Sequence, residues 1–317
     1  MTSNWRSSGG PNLSSRPAVN VAAPDLVRGV PYVFAVKHNS LEDGPGIRSV
    51  VFLKGCNLNC SWCHNPESKH RTNELYYDRG SCISCRECVA VCPQGALRIG
   101  DPSIGEPPVV VDRQSCTTCF ECVDSCPSRA LSAVGRTMSV DDVVRDVVQY
   151  TSYFQASGGG VTVSGGEPTL FMDFLSALLQ RFKAEGLHTL VETNGRFCFD
   201  DFEGAILPHT DVIYLDMKIL DRHDHRRFCG TYNDVIKDNF LRLHRMSQTS
   251  QFCVIPRTPL IPDITDTEKN IRELAQFYEA NGVTRTIVLK SNPLWADKGP
   301  CPGVVDTGFV VTPLVAA

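Results

Sequence analysis

Three cysteines, Cys56, Cys60 and Cys63, stand in the spacing C-x3-C-x2-C within KGCNLNCSWCHNPES. Three thiolates from one loop can bind three irons of a [4Fe–4S] cubane and leave the fourth iron open to a substrate. Zinc is the alternative, but structural zinc takes four protein ligands, and His64 sits too near Cys63 to be a natural fourth. The chain has 15 cysteines in 317 residues. Eleven fall between Cys56 and Cys126. Disulfide-rich domains are short and secreted, whereas closely spaced cysteines in a cytosolic chain point to metal. The other four, Cys198, Cys229, Cys253 and Cys301, are isolated and read as buried or incidental thiols.

Between residues 70 and 135 the run C-x2-C-x2-C-x3-C-P occurs twice, as Cys82, Cys85, Cys88, Cys92 and as Cys116, Cys119, Cys122, Cys126, about 34 residues apart. This is the pattern of bacterial two-cluster ferredoxins, in which the fourth cysteine of each copy ligates the other cluster. Cys82, Cys85, Cys88 and Cys126 are accordingly assigned to one cubane, and Cys116, Cys119, Cys122 and Cys92 to a second. Two such clusters either relay electrons to the first or hold a small module together, because metal ligation supplies folding energy.

The elements that must position these groups follow from periodicity. Residues 1–29, rich in Ser, Pro, Asn and Gly, read as a mobile leader. PYVFAV and SVVFLK read as strands, with the Gly-Pro turn of EDGPGIR between them. Residues 70–135 form an inserted module, leaving 30–69 and 136–317 as the main domain. Ser139 and Asp142 resemble a capping box for a helix over VDDVVRDVVQYTSYF. Strands and helices then alternate. GVTVSGG, HTLVETNG, DVIYLDMK, QFCVIPRTPLI and RTIVLKSN read as strands; PTLFMDFLSALLQRFKAEG, a polar stretch through Arg242, and TEKNIRELAQFYEANG read as helical. Such repetition argues for a parallel sheet with helices outside it, whose functional groups gather at the carboxyl ends of strands. Three motifs fall there: SGGEP (Ser164, Gly165, Gly166, Glu167), ETN (Glu192, Thr193, Asn194) and DMK (Asp216 to Lys218). Lys218 and Arg257 are suited to pairing with a carboxylate, the arginine through a planar two-pronged donor set.

The loop with an aromatic residue before its last cysteine, the preceding EDGPGIRSVVFLKGC and the following HNPES resemble radical-SAM enzymes, specifically the activating enzymes of glycyl radical enzymes. The resemblance covers about residues 31–290. It implies a partial (β/α)6 TIM-like barrel carrying the ferredoxin-like insert, with S-adenosylmethionine on the open iron. It also implies that Ser164, Gly165, Gly166 and Glu167 match the Gly-Gly-Glu motif at the methionine amino group. Glu192, Thr193, Asn194, Asp216, Lys218 and Arg257 would then contact S-adenosylmethionine or a nearby cation. Three [4Fe–4S] clusters are expected, one binding S-adenosylmethionine and two auxiliary.

Two functions share this machinery. An activase would take hydrogen from a glycine Cα of a partner glycyl radical enzyme. A direct catalyst would take it from a small molecule, as in decarboxylation of a sugar acid in a nucleoside (cytosylglucuronate type) during antibiotic biosynthesis. The segment LKSNPLWADKGPCPG departs from the family where the hydrogen donor should be recognised, and the leader is a further departure. A ferredoxin-like electron carrier is the third reading, against which the open three-cysteine loop argues. A flavodoxin or ferredoxin is the expected electron donor. The formal net charge of −4 provides no broad basic field for nucleic acid. No apolar run long enough to span a bilayer is present, and the chain reads as cytoplasmic.

Overall fold

The computed structural model describes residues 30–290. The expected leader, Cys301 and most of LKSNPLWADKGPCPG lie outside the described residues.

After β1 (Tyr32–Ser40) and β2 (Arg48–Leu53) comes the cysteine-rich segment, with β3 (Leu75–Tyr77), α1 (Glu87–Val91), β4 (Leu97–Ile99), β5 (Val109–Val111), α2 (Glu121–Asp124) and β6 (Leu131–Ala133). The chain leaves it through β7 (Arg136–Thr137), α3 (Val140–Val148) and α4 (Thr151–Ser157). It then alternates through β8 (Gly160–Gly165), α5 (Met172–Ala184), β9 (Thr189–Thr193), α6 (Phe199–Ala205) and β10 (Val212–Asp216). Helices α7 (Arg222–Cys229) and α8 (Asp234–Ser247) precede β11 (Cys253–Leu260), and α9 (Glu268–Ala280) precedes β12 (Ile287–Lys290).

The fold is mixed α/β, built on a sheet of eight strands in the order β12-β11-β10-β9-β8-β2-β1-β7. The run from β12 to β2 is parallel throughout, while β1 pairs antiparallel with β2 and with β7. Parallel neighbours need crossovers, and the helices supply them. Alternation then separates two chemistries. Val51, Leu53, Val163, Val191, Ile213, Leu215 and Val254 share a core with the buried sides of α3, α5 and α8. Register pairs of the other parity, Phe52 with Ser164, Tyr214 with Glu192, and Asp216 with Arg257, occupy the opposite face. The polar residues among them therefore collect at the carboxyl edge of the parallel strands.

Local elements follow the sequence pattern with two adjustments. The single helix read over VDDVVRDVVQYTSYF is two helices. The reciprocal Ser139–Asp142 capping box starts the first, but Tyr150 leaves helical geometry and stacks on His38, ring centroids 3.9 Å apart. That tertiary contact has no signature in helical periodicity. The polar stretch through Arg242 divides into α7 and α8 at Gly230, whose φ of 84° is left-handed. Among the described residues no helix is long and apolar enough to cross a membrane.

The cysteine-rich segment has a small core of its own, Leu75, Cys88, Leu97, Val109, Cys122 and Leu131. Its internal repeat is visible in the backbone. Ser84 and Thr118 have φ of 58° and 54°, and Arg86 and Phe120 have 68° and 63°. Strand β3 pairs with β6 and β4 with β5, so the two copies interlock.

Lys54, fully buried at the end of β2, fastens this segment to the sheet. Its ammonium donates to the Glu74 carboxylate at 2.5 Å and to the Glu67 carbonyl at 2.7 Å. Breaking one side of a buried pair strands the other charge. Glu74→Gln is therefore expected to lower unfolding stability by about 3 kcal/mol. Adding Lys54→Met to that variant should recover part of the loss, as measured by chemical denaturation.

Candidate functional site

The carboxyl ends of the parallel strands and the loop after β2 surround a cavity of about 250 Å³. Its wall brings together Cys56, Cys60 and Cys63, the β8 end (Ser164, Gly165, Gly166), the β9 end (Glu192, Thr193, Asn194), Asp216 and Lys218 after β10, and Arg257 from β11. Glu167 is not part of the wall. Its buried carboxylate accepts from Thr169, from the Thr193 hydroxyl at 2.8 Å and from the Asn194 amide at 2.7 Å, bracing the end of β8 against that of β9. Burial nevertheless pushes its carboxyl above the ordinary range.

The cysteine loop is closed by its own backbone and clamped by α7. Gly55 N donates to Ser68 O at 2.7 Å and Cys56 N to Lys69 O at 3.0 Å. From the other side, Asn59 N and Ser61 N donate to the Cys229 and Phe228 carbonyls, each at 2.9 Å. Burial pushes the Cys56 thiol up to about 12 and the Cys63 thiol to about 11. The neighbouring Cys229 thiol and desolvation push the Cys60 thiol well above its usual value too. Buried thiols of this kind exchange protons for metal cations. The Leu58 amide already points at Cys56 Sγ, 3.4 Å away, as amides do toward cluster sulfurs. Among the described residues no three His, Cys, Asp or Glu side chains converge on a single ion. Cys56, Cys60 and Cys63 border the cavity, and three thiolates with no fourth protein ligand are the donor set of a cubane with one open iron rather than of a structural zinc site.

Beside the loop, one ionic network joins three strand ends. Arg257 donates to Glu192 at 2.6 Å and, through Nε and Nη2, to Asp216 at 3.2 and 3.1 Å. Lys218 donates to the other Asp216 oxygen at 2.5 Å, and Ser164 to Glu192 at 2.7 Å. Burial alone would raise the Asp216 carboxyl, but Lys218 and Arg257 outweigh it and hold the group below the carboxylate range. Burial likewise opposes the charge on Lys218, and Asp216 overrides it. The two cations expected to face a ligand are thus already engaged with protein carboxylates.

Asp43, Trp62 and His64 also line the cavity. Asp43 belongs to the EDGPGIR turn after β1, away from any parallel strand end, so a search of strand ends passes over it. The turn itself was its only signal. In the cysteine-rich segment, one small cavity is bordered by Cys82, Cys85, Cys88 and Cys126, and another by Cys92, Cys116, Cys119 and Cys122. These are the crossed sets of the ferredoxin pattern. Of the isolated cysteines, Cys198 and Cys253 are exposed, whereas Cys229 is buried against the loop.

Residues 66–130 match the family described as a 4Fe-4S dicluster domain. The isethionate sulfite-lyase activating enzyme of Oleidesulfovibrio alaskensis is 40% identical over 248 residues, covering 77% of this chain and 78% of that protein. The chain belongs to the activating enzymes of glycyl radical enzymes, a radical-SAM family. Also similar are the benzylsuccinate synthase activating enzyme of Thauera aromatica, 37% identical over 78% of this chain and 74% of its own, and the indoleacetate decarboxylase activating enzyme of Tractidigestivibacter scatoligenes, 40% identical over 77% and 78%. As an activating enzyme the chain uses S-adenosylmethionine and a [4Fe–4S] cluster. Membership sets aside the electron-carrier reading and favours activation of a partner enzyme over direct action on a small molecule.

The approach of β8 to the loop depends on glycine. A Cβ on Gly166 would lie 2.1 Å from the Gly55 carbonyl oxygen, and one on Gly165, at φ +129°, would lie 2.1 Å from that of Leu53. Gly166→Ala should push Gly55 and the adjoining Cys56 outward, costing about 2 kcal/mol of stability. S-adenosylmethionine affinity should fall with it; denaturation and equilibrium binding measure the two effects.

Proposed function

We propose that this activating enzyme holds a [4Fe–4S] cluster on Cys56, Cys60 and Cys63 and generates a glycyl radical on a partner glycyl radical enzyme. When bound, the cluster and S-adenosylmethionine supply reductive cleavage of the sulfonium, yielding methionine and a 5′-deoxyadenosyl radical that takes hydrogen from the glycine Cα. One observation carries the reading: the three-cysteine loop, the glycine edge of β8 and the Glu192–Arg257–Asp216–Lys218 network border the same cavity.

Each part of the wall has a role in holding the methionyl group. Gly165 and Gly166 leave backbone groups bare of side chain at the end of β8, where an amino group can approach closely. Arg257 and Lys218, already paired with Glu192 and Asp216, would offer a methionyl carboxylate their remaining N–H donors, held in place before binding. Thr193 and Asn194 complete the polar edge, and Glu167 holds that edge in place from beneath. The parallel strands and their outer helices are read as a partial (β/α)6 barrel over 30–69 and from 136 on, of which residues 291–317 lie outside the described residues. Residues 70–135 are read as a ferredoxin-like insert.

In that insert, Cys82, Cys85, Cys88 and Cys126 would hold one auxiliary cluster, and Cys92, Cys116, Cys119 and Cys122 the other, bringing the total to three. A flavodoxin or ferredoxin is the electron donor that suits such a chain. So many unpaired cysteines fit a reducing compartment, the cytoplasm.

Replacing Cys56, Cys60 and Cys63 together by Ala should abolish 5′-deoxyadenosine formation while leaving about two-thirds of the iron, that of two clusters out of three. Undiminished cleavage would overturn the ligand assignment. With a glycyl radical enzyme as partner, the wild-type protein should produce a glycyl radical signal in electron paramagnetic resonance. Cleavage without that signal, accompanied by consumption of a small molecule, would point to direct catalysis instead.

A further inference from the structure

The cysteine loop is flanked along its length by cations that the chemistry above does not use, Lys69, Arg71, Arg196, Arg226 and Arg227, none of which borders the cavity. All four arginines are exposed and Lys69 is half-buried. Arg71 lies against Gly55, where an added Cβ would come 2.8 Å from its Cγ, and Arg196 Nη1 reaches the Asn57 carbonyl at 3.5 Å. Lys69 donates to Asn59 Oδ1 at 2.8 Å and to the Cys60 carbonyl at 3.2 Å. On α7, Arg227 lies 4.9 Å above the Phe228 ring, next to the carbonyl that accepts from Ser61 N. Arg226 donates to the Tyr232 hydroxyl at 2.5 Å and lies 4.8 Å above that ring. These partners are neutral and leave the positive charges standing. The acids of the same helix are engaged elsewhere, Asp221 and Asp224 both with Lys269. Stacking also holds the guanidinium groups in place, which lowers the entropy lost when a partner covers them.

We propose that this face of the loop is the docking surface for the electron donor, a one-electron carrier protein with an acidic patch. Charge complementarity selects that occupant. A chain of formal net charge −4 has no general attraction for an acidic protein, so the local cations decide where one lands. Residues 72–135 carry eight acidic side chains against five arginines, which turns an acidic carrier away from the cysteine-rich insert and toward the loop. Asn59, exposed among the cations, is the residue before Cys60. Each encounter oxidises the carrier by one electron and reduces the cluster by one, with no proton or bond exchanged. The glycyl radical enzyme would keep separate access, through the cavity on whose wall none of these cations lies. This assignment rests on the reading that Cys56, Cys60 and Cys63 hold the S-adenosylmethionine-binding cluster.

An acidic flavodoxin serves as the probe, and its binding to the reconstituted protein is measured by calorimetry across a salt series. Wild-type affinity should fall as salt rises, because exposed charges are screened. Arg226→Glu combined with Arg227→Glu should bind about tenfold more weakly at low salt and show a flatter salt dependence. Formation of 5′-deoxyadenosine with limiting reduced flavodoxin should fall in parallel. Formation driven by photoreduced 5-deazariboflavin, a small uncharged reductant, should match the wild type. Unchanged flavodoxin affinity in the Glu pair overturns the proposal, and so does weakening produced instead by Arg79→Glu with Arg86→Glu on the insert. If the Glu pair does not fold, Arg226→Gln with Arg227→Gln decides on the same criterion, with an expected loss of about threefold. A glycyl radical yield that drops under deazariboflavin while flavodoxin affinity holds assigns the face to the glycyl radical enzyme and also overturns the proposal. Absence of deazariboflavin-driven cleavage in the wild-type protein overturns the cluster reading, whereas the flavodoxin affinities, read without any turnover, test the surface separately.

Discussion

Arg257 lies between two carboxylates, Glu192 and Asp216, carried by neighbouring strands of the parallel sheet, and is 6% exposed. A guanidinium so far from water is tolerable only while both partners stay in place, and the carboxylates depend on it in the same way. Sheet register makes the triad possible, because Asp216 and Arg257 are direct partners across β10 and β11. A slip of one residue would send Arg257 into the apolar core under the helices and leave two acids unpaired. The network therefore specifies alignment more than it adds stability, and the cavity wall inherits that alignment.

The loop that carries Cys56, Cys60 and Cys63 has no regular hydrogen-bonded structure and would wander if left to itself. Its shape is imposed from three directions. The 3-10 turn Pro66–Ser68 and Lys69 after it close it, the glycine edge of β8 abuts it, and the carbonyls at the end of α7 hold its middle. Each contact uses backbone, which allows close approach and leaves the sulfurs free to face the cavity. Side-chain bonds such as Asn194 to Asn57, at 2.8 Å, then join the loop to the polar edge of β9.

The cysteine-rich segment illustrates a different economy. Its core contains six buried residues, two of them cysteines, which is far too little apolar burial to offset the entropy of ordering about 60 residues. Metal ligation is the natural remainder of that balance. The interlocked strand pairing and the crossed grouping of cysteines serve the same end, since each copy of the repeat completes the other.

Much of this was legible in the chain itself because it is local. Metal-type cysteine spacing, the repeat, the alternation of strand and helix, and the placement of SGGE, ETN and DMK at strand ends all depend on neighbours within a few residues or on a fixed period. The end of α5 at Gly186 and the capping box at Ser139 are of the same kind. What tertiary structure alone decided involves groups far apart in sequence, whose burial and distance no spacing encodes. Glu167 turns under the wall instead of into it; Asp43 joins the cavity from a turn outside the parallel set; Tyr150 breaks a helix to stack on His38. Cys229 shows the difference best. As a lone cysteine it reads as an incidental thiol, and only the packing of α7 on the loop makes it the neighbour of Cys60, because two backbone hydrogen bonds and an apolar pocket bring together atoms that the sequence keeps apart.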